Sequence, residues 1–509
     1  MHWLNEAVDE LVARRPEGEI LVESGVSPSG TYHVGTLREV LTSDAIMLEL
    51  RRRGHQARHI HYVDDLDPLR KVPVNVPADF SQYLGKPYCD VPAPDGSNQS
   101  YADFFLNDFL AAAEALKLDM EVIRSYQKYR DGFMVPAIEK ALEQADKIAE
   151  ILADVSGRKL DENWSPIQIM EDGYLKSRRF VSIDKGAKTI DYLDVAGQKQ
   201  TISYERGEVK LNWRVDWPAR WWLLKIDAEP FGRDHATKGG SYDTGAEIIR
   251  KVFGAEPPLP TPYHFINLAG ETKKMSKSTG NIIAISELVQ IMPPEVVRFF
   301  VLRLPPERQL FFDQTSGVVR LIDEFSALLA KEDKSADEQQ LIELSTADLP
   351  SVVSRVPFSH LVASYQAALK DLAKTLEVLG RTEYQQVVAR DAATIKKELA
   401  FIDNWLQKWA PEEVKFELAA KIKPGDFGPA EAEFLKSLSQ KIAQAPADAG
   451  GEWFHKQIYE LQESAGLEKK QMFSALYRVL IGQESGPRAG WFLSILPRDW
   501  LIKRLNLEA

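Results

Sequence analysis

ILVESGVSPSGTYHVGTLRE, residues 20–39, starts as an apolar run, turns through Gly25, Ser27, Pro28, Ser29 and Gly30, and re-enters regular structure around His33-Val34-Gly35-Thr36. That order is a strand, a tight turn and a helix start. Such a turn aims backbone N–H groups and small side chains at an anion. His33 and Thr36 lie three residues apart, so a helix beginning near His33 holds both beside one ligand. Gly35 lets a flat ring approach the backbone. A turn packed for purely structural reasons fits the same residues.

Outward from this turn, Val34 to Leu50 has a helical pattern that ends near Arg51-Arg52-Arg53-Gly54, where basic residues and a glycine suit a C-terminus. Ala57 to Val63 is a second strand, and it runs into Asp64, Asp65 and Asp67. A strand, a helix and a strand make a βαβ unit, so a parallel sheet with helices on its faces is expected. The aspartates have two readings, a metal cluster or helix caps with salt links to Arg70 and Lys71. Residues 3–15 have the spacing of a short amphipathic helix. Residues 72–100 are rich in proline, glycine and aspartate and are expected to be irregular. Helices are expected at Ala102–Leu118 and Val135–Val155.

Residues 156–213 change character to short, polar, strand-like runs with turn glycines, the pattern of a small antiparallel insertion with a lid or acceptor-contact role. Trp213 to Gly245 is dense in aromatic residues. Pro218 suits the first turn of a short helix over Ala219–Leu224. Trp213, Trp217, Trp221 and Trp222 read as a buried cluster, and His235 as either a ligand contact or a core residue. A strand is expected over Tyr263–Leu268. AGETKKMSKSTGN, residues 269–281, follows it and sets Lys273, Lys274 and Lys277 among small residues. Cations there could clamp a polyphosphate where charge develops in a transition state, although a solvated lysine loop has the same composition. From Val318 onward the pattern is helical, including Phe358–Leu376 and Tyr384–Trp409.

The 509-residue chain is too long for one core and suggests about three domains. Formal net charge is -12, which argues mildly against nucleic acid but leaves local basic patches open. Cys89 is the single cysteine, so neither an intrachain disulfide nor a cysteine zinc knuckle can form. The charged N-terminus has no apolar signal region, and no apolar run is long enough to span a bilayer. A cytoplasmic location is expected.

Two separated motifs now join. HVGT at 33–36 resembles the HIGH signature of class I aminoacyl-tRNA synthetases, and KMSKS at 274–278 matches that class's second signature. SGVSPSG-x-x-HVG-x-x-RE, HYVDDLDPLRKVP, WRVDWPARW and EPFGRDH-x-x-x-GGSYDTG resemble the class I lysyl-tRNA synthetases in particular, as does the closing GPRAGWFLSIL. The resemblance covers essentially the whole chain.

It implies an α/β fold: a Rossmann-type parallel-sheet catalytic core with a small mixed insertion, then an all-α C-terminal anticodon-binding domain. The expected segments are the first half of the catalytic domain (1–155), the insertion without a zinc knuckle (156–213), the second half (214–290), a helical stem (291–330) and the anticodon-binding domain (331–509). The implied reaction activates L-lysine with ATP, releases pyrophosphate and moves lysine to tRNA(Lys). Mg²⁺ would travel with ATP, and no protein-bound zinc or metal-ligating residue is expected. A monomer with no membrane partner is expected.

The resemblance assigns His33, Lys274 and Lys277 to catalysis, and Ser29, His33, Gly35, Thr36, Asp234 and Lys277 to ATP. It assigns Gly25, Ser27, Glu39, Trp217, His235 and Tyr263 to lysine, with Glu23 and Asp216 as further acids available to the substrate ammonium. Thr36 stands where the signature has histidine, and a hydroxyl can still donate to phosphate. His264 stands where an acid often follows the tyrosine. In the helical domain Trp405, Trp409, Trp453, Phe454 and Trp491 are candidate platforms for unpaired bases, or core. Lys396, Lys397, Lys408, Lys415, Lys421 and Lys423 could meet backbone phosphate, or form a solvated helix face. Two alternatives stand beside the lysine reading: a class I synthetase for another amino acid such as glutamate, and a synthetase-like tRNA-binding regulatory protein.

Overall fold

The computed structural model describes every residue except 158, 162–163, 271–281, 447–448 and 509, with the backbone alone at 463–465. The chain forms two compact units. One comprises Met1–Val289, Val297–Phe312 and Ser335–Leu349, the other Gln290–Val296, Asp313–Lys334 and Pro350–Ala509.

In the first unit, α1 (His2–Arg14) precedes β1 (Ile20–Val26), and α2 (Leu37–Arg52) returns the chain to β2 (Ala57–Val63). β1 and β2 run parallel in full register, from Ile20 beside Ala57 to Val26 beside Val63. The turn after β1 needs Gly30, whose φ of 149° side chains rarely adopt. A single 3₁₀ turn, Val34–Thr36, leads into α2, with His33 Nδ1 accepting from the Gly35 N–H at 3.1 Å. α2 is buried on most of its circumference, from Leu37 to Met47 without a break. α3 (Tyr101–Ala115) starts where Ser100 accepts from the Asp103 N–H, and β3 (Met120–Arg124) follows.

After α4 (Ser125–Arg130), the helix expected over Val135–Val155 is two, α5 (Val135–Glu143) and α6 (Ala145–Ser156). Gln144, at φ −111° and ψ 24°, breaks them, and nothing in the local sequence marks the break. The insertion comprises β4 (Ile167–Glu171), β5 (Tyr174–Ser177), β6 (Arg179–Asp184), β7 (Thr189–Leu193), β8 (Lys199–Ser203) and β9 (Val209–Leu211). They form two three-stranded antiparallel sheets, ordered β5-β4-β9 and β6-β7-β8.

The next helix, α7, runs from Trp213 to Leu224 and not from Ala219. The Asn212 carbonyl accepts from the Val215 and Asp216 N–H groups at 2.7 and 2.8 Å. The first turn therefore closes before Pro218, whose missing N–H costs one bond inside a helix already under way. β10 (Ala228–Gly232), α8 (Ser241–Ile248) and β11 (Leu259–Tyr263) follow. The strand expected over Tyr263–Leu268 is also divided. Tyr263 ends β11, and β12 (Ile266–Leu268) pairs instead with β13 (Leu310–Phe312), which follows α9 (Ile285–Ile291) and α10 (Pro294–Leu302).

The central sheet is parallel, with order β11-β10-β1-β2-β3. Its strand order reverses between β1 and β10. Crossovers leave that point on opposite faces, and the crevice outside the strands' carboxyl ends there is where such sheets hold ligands.

The second unit is helical. It includes α11 (Ser316–Ala330), while α12 (Ala336–Thr346) belongs to the first unit. The expected helix over Phe358–Leu376 is α13 (Phe358–Ala367) and α14 (Leu372–Leu379), parted by left-handed Leu369 and Lys370. The long α15 (Gln385–Lys408) precedes α16 (Pro429–Ala443), α17 (Gly451–Ala465), α18 (Lys469–Ile481), α19 (Ala489–Ile495) and α20 (Arg498–Leu505). Their apolar faces, including Leu438, Ile458, Leu476 and Phe492, form one core. Among the described residues no helix is long and apolar enough to cross a membrane.

Candidate active site

A cavity of about 480 Å³ opens at the carboxyl ends of β1, β10 and β11, beside the point of strand reversal. Gly25, Ser27, Glu39, Trp217, Asp234, His235 and Tyr263 all line it. Gly25 and Tyr263, 238 positions apart in sequence, meet here because parallel strands all end on one side.

Each wall has a local cause. Glu39, in the first turn of α2, accepts from the Gly25 N–H at 2.7 Å and from the Tyr263 hydroxyl at 2.6 Å. Trp217 and Trp213 lie one turn apart on α7 and stack at 5.3 Å, and the His235 ring packs 5.6 Å from Trp217. The Trp217 indole donates to Glu229 of β10 at 2.9 Å, and Trp221 donates to the same carboxylate. Gly25 leaves room for Arg220, because a Cβ there would lie 3.0 Å from Arg220 Nη2.

The electrostatics are one-sided. Six buried carboxylates, Glu23, Glu39, Asp64, Asp67, Asp216 and Glu229, face two buried cations, Arg220 and Lys210. Arg220 pairs with Glu23 and Asp64 at 2.9 Å and with Glu229 at 3.6 Å, and Lys210 pairs with Asp67 at 2.9 Å and Asp216 at 3.6 Å. Among the described residues Glu39 makes no ion pair, and Arg220 acts on its charge from a distance. Fully ionised, the group would have six negative charges against two positive, an uncompensated excess that a buried site cannot hold. Burial accordingly pushes the Glu39 carboxyl up to about 8, against its two hydrogen bonds. Burial likewise raises Asp64 to about 6, against Arg220, and raises Glu23 and Glu229.

The expected salt links of the aspartates to Arg70 and Lys71 are mostly replaced by distant partners. Asp64 pairs with Arg220, Asp65 with Arg124 and Asp67 with Lys210, while Arg70 reaches Asp67 only at 4.0 Å. Arg124, Lys210 and Arg220 lie 59 or more positions away in sequence, which is why a local reading missed them. Among the described residues no set of three or more His, Cys, Asp or Glu side chains is arranged to hold a metal ion.

Ser29, His33, Gly35 and Thr36 stand on the neighbouring turn, half-buried and outside the cavity lining. Lys273, Lys274 and Lys277 lie outside the described residues. The residues flanking 271–281 are nevertheless tied to this turn. The Val34 N–H donates to the Ile283 carbonyl at 2.9 Å, the Ile285 N–H to the Tyr32 carbonyl at 3.1 Å, and β12 lies against Val34–Thr36.

Glu229, Arg220 and Arg70 also line the cavity, and sequence reasoning had singled out none of the three as a site residue. The signal was present for the first two, inside WRVDWPARW and beside EPFG, but only pairing in space gives it meaning.

The helical unit has its own cleft of about 1420 Å³, lined by Trp453, Phe454, His360, Trp491, Arg488 and Arg498 among others. His360 stacks on Trp491 at 4.6 Å. Trp405 is fully buried in the core instead.

The family described as "tRNA synthetases class I (K)" matches residues 1–348 of this chain. A lysine–tRNA ligase of Archaeoglobus fulgidus is 37% identical over 510 residues, covering 99% of each chain. A lysine–tRNA ligase of Pyrococcus horikoshii is 34% identical over 523 residues, covering 100% of each. A solved glutamate tRNA ligase of Elizabethkingia meningosepticum, in complex with its amino acid, aligns over 96% of this chain and 99% of its own, at a TM-score of 0.45 and 15% identity.

Proposed function

This chain belongs to the class I tRNA synthetases of the lysine type, and from that premise we propose that it ligates lysine to tRNA in two steps. The observation that carries the reading is the carboxylate excess of the cavity. Lysine supplies the missing cation, and its ε-ammonium pairs with Glu39 while Trp217 flanks its methylenes. The same excess repels a glutamate side chain, so the glutamate alternative would place a carboxylate against carboxylates.

Activation needs no covalent nucleophile. The lysine carboxylate attacks the α-phosphorus of ATP, and pyrophosphate leaves with its bonding electrons. The protein positions the two substrates and stabilises the charge. Ser29, His33, Gly35 and Thr36 hold the phosphates, Asp234 approaches the ribose, and Lys277, assisted by Lys274, neutralises the leaving pyrophosphate. Mg²⁺ arrives with ATP. The second step moves lysine to the 3′ end of tRNA(Lys), and the helical unit's aromatic and arginine-lined cleft suits unpaired bases.

Lysine-dependent exchange of labelled pyrophosphate into ATP tests the reading. Exchange with lysine and not with glutamate is expected. Strict glutamate dependence would reject the lysine assignment, and tRNA binding without any adenylate formation would favour a regulatory protein.

The raised carboxyl of Glu39 gives a pH prediction. In the free protein it keeps its proton below about pH 8, and pairing with the ammonium requires that proton to leave. Lysine affinity is therefore expected to rise between pH 6 and 8, by up to about tenfold per unit, and then level off. Calorimetry in buffers of different ionisation enthalpy should record proton release on binding. A flat profile with no proton release would contradict it.

A further inference from the structure

We propose that Arg70 is a catalytic residue of the activation step, its guanidinium held at the seam between the amino-acid cavity and the phosphate turn to carry the α-phosphate as the carboxylate attacks. The proposal rests on the reading of the cavity as the amino-acid site.

Three observations converge on Arg70. It lines the cavity, and so does Arg220, but Arg220 is buried among three carboxylates and has no reach to spare. Arg70 keeps 66% of its side chain exposed, and its ion pair with Asp67 is at the outer limit of 4.0 Å. Asp67 is already engaged more closely by Lys210, at 2.9 Å.

The backbone that presents Arg70 is fixed. Pro68 and Pro87 form a β-bridge, the Leu69 N–H donates to the Lys86 carbonyl, and the Gly85 N–H donates to the Leu69 carbonyl, each at 2.8 Å. The Tyr88 N–H donates to the Asp67 carbonyl at 3.0 Å. A long side chain on a pinned backbone can swing without moving the wall behind it.

Its position joins the two substrates. Tyr88, whose N–H is bonded to Asp67, stacks on Tyr101 at 5.8 Å, and the Tyr101 hydroxyl donates to the Ser29 carbonyl of the phosphate turn at 3.1 Å. One end of Arg70's reach is therefore the amino-acid cavity, and the other is the turn assigned to phosphate. The reacting carboxylate and α-phosphate must meet between them.

The chemistry asks for a cation there. The new bond joins a lysine carboxylate oxygen to the α-phosphorus, and the bond from that phosphorus to the β-phosphate's bridging oxygen breaks. Electrons leave with pyrophosphate and no proton moves. The non-bridging α-oxygens carry charge in the transition state, and the ionised acids lining the cavity repel both that phosphate and the lysine carboxylate. A planar guanidinium can bond a carboxylate oxygen and a phosphate oxygen together.

The test compares Arg70→Gln, Arg70→Lys and, as a control, Lys71→Gln, whose exposed side chain does not line the cavity. Thermal melting checks folding, calorimetry gives the lysine Kd, and pyrophosphate exchange gives kcat and KM. Arg70→Gln is expected to lower kcat roughly 100- to 1,000-fold, the scale of one lost charge-stabilising donor, with lysine Kd within about threefold. Arg70→Lys should recover part of the rate, and Lys71→Gln should match the parent. Exchange by Arg70→Gln within threefold of the parent would overturn the proposal. So would a loss confined to lysine Kd with kcat kept, which would make Arg70 a ground-state contact only. The parent protein is assayed with lysine and with glutamate. Failure of lysine alone overturns the substrate assignment and leaves Arg70 to be judged on the amino acid that works. Failure of both overturns both.

Discussion

Glu39→Gln is expected to weaken lysine binding by about 100-fold or more, and to abolish the pH dependence of that binding. Removing one member of a desolvated charge pair typically costs about 3 kcal/mol, which corresponds to roughly two orders of magnitude in Kd. Glutamine keeps the volume and an acceptor for the Gly25 N–H or the Tyr263 hydroxyl. The fold should survive, because burial already favours the uncharged form of this side chain. Stability in the absence of lysine should therefore be unchanged or higher near pH 8, where the parent must ionise a buried acid. Calorimetric titration with lysine reads the affinity, and melting across pH reads the stability. A variant that binds lysine like the parent would show that another acid of the cluster, such as Glu229 or Asp64, selects the ammonium.

Lys277→Ala is expected to lower pyrophosphate exchange by roughly 100- to 1,000-fold and to leave lysine affinity and melting temperature close to those of the parent. The residue lies outside the described residues, so the argument comes from its neighbours. Ile283 bonds to Val34, Ile285 bonds to Tyr32, and β12 rests on Val34–Thr36. The flanks of residues 271–281 are thus bonded to the turn that the proposed function assigns to ATP phosphates. The Lys277 charge matters most as pyrophosphate departs, so the loss should fall on kcat and spare the lysine Kd. Lys274→Ala should lose less. Normal exchange by Lys277→Ala would end the clamp assignment, and loss of lysine binding in step with rate would point to a structural defect instead.

How far the chain could be understood without its fold differs by element. β1, α2 and β2 follow from an apolar run, a glycine turn, helical spacing and a capped end, all contained within residues 20–63. Their parallel arrangement follows too, since a helix of that length between two strands allows little else. Boundaries that depend on remote packing were misjudged. α7 starts before Pro218 because Asn212 closes its first turn, and Tyr263 parts from Ile266 because β12 has a different partner, β13. α5 and α6 part at Gln144 with no local signal.

The amino-acid sequence by itself determined the fold class, the order of the motifs and the residue types around a nucleotide turn. These are written in local periodicity and short-range chemistry, which survive without coordinates. Tertiary structure alone decided which charges face one another. Arg220 of α7 meets Glu23 of β1, Asp64 after β2 and Glu229 of β10, and Lys210 of β9 meets Asp67. Glu39 makes no ion pair among the described residues. Charge pairing acts through space and not along the chain, so this arrangement of acids and bases exists only once parallel strands bring their carboxyl ends together.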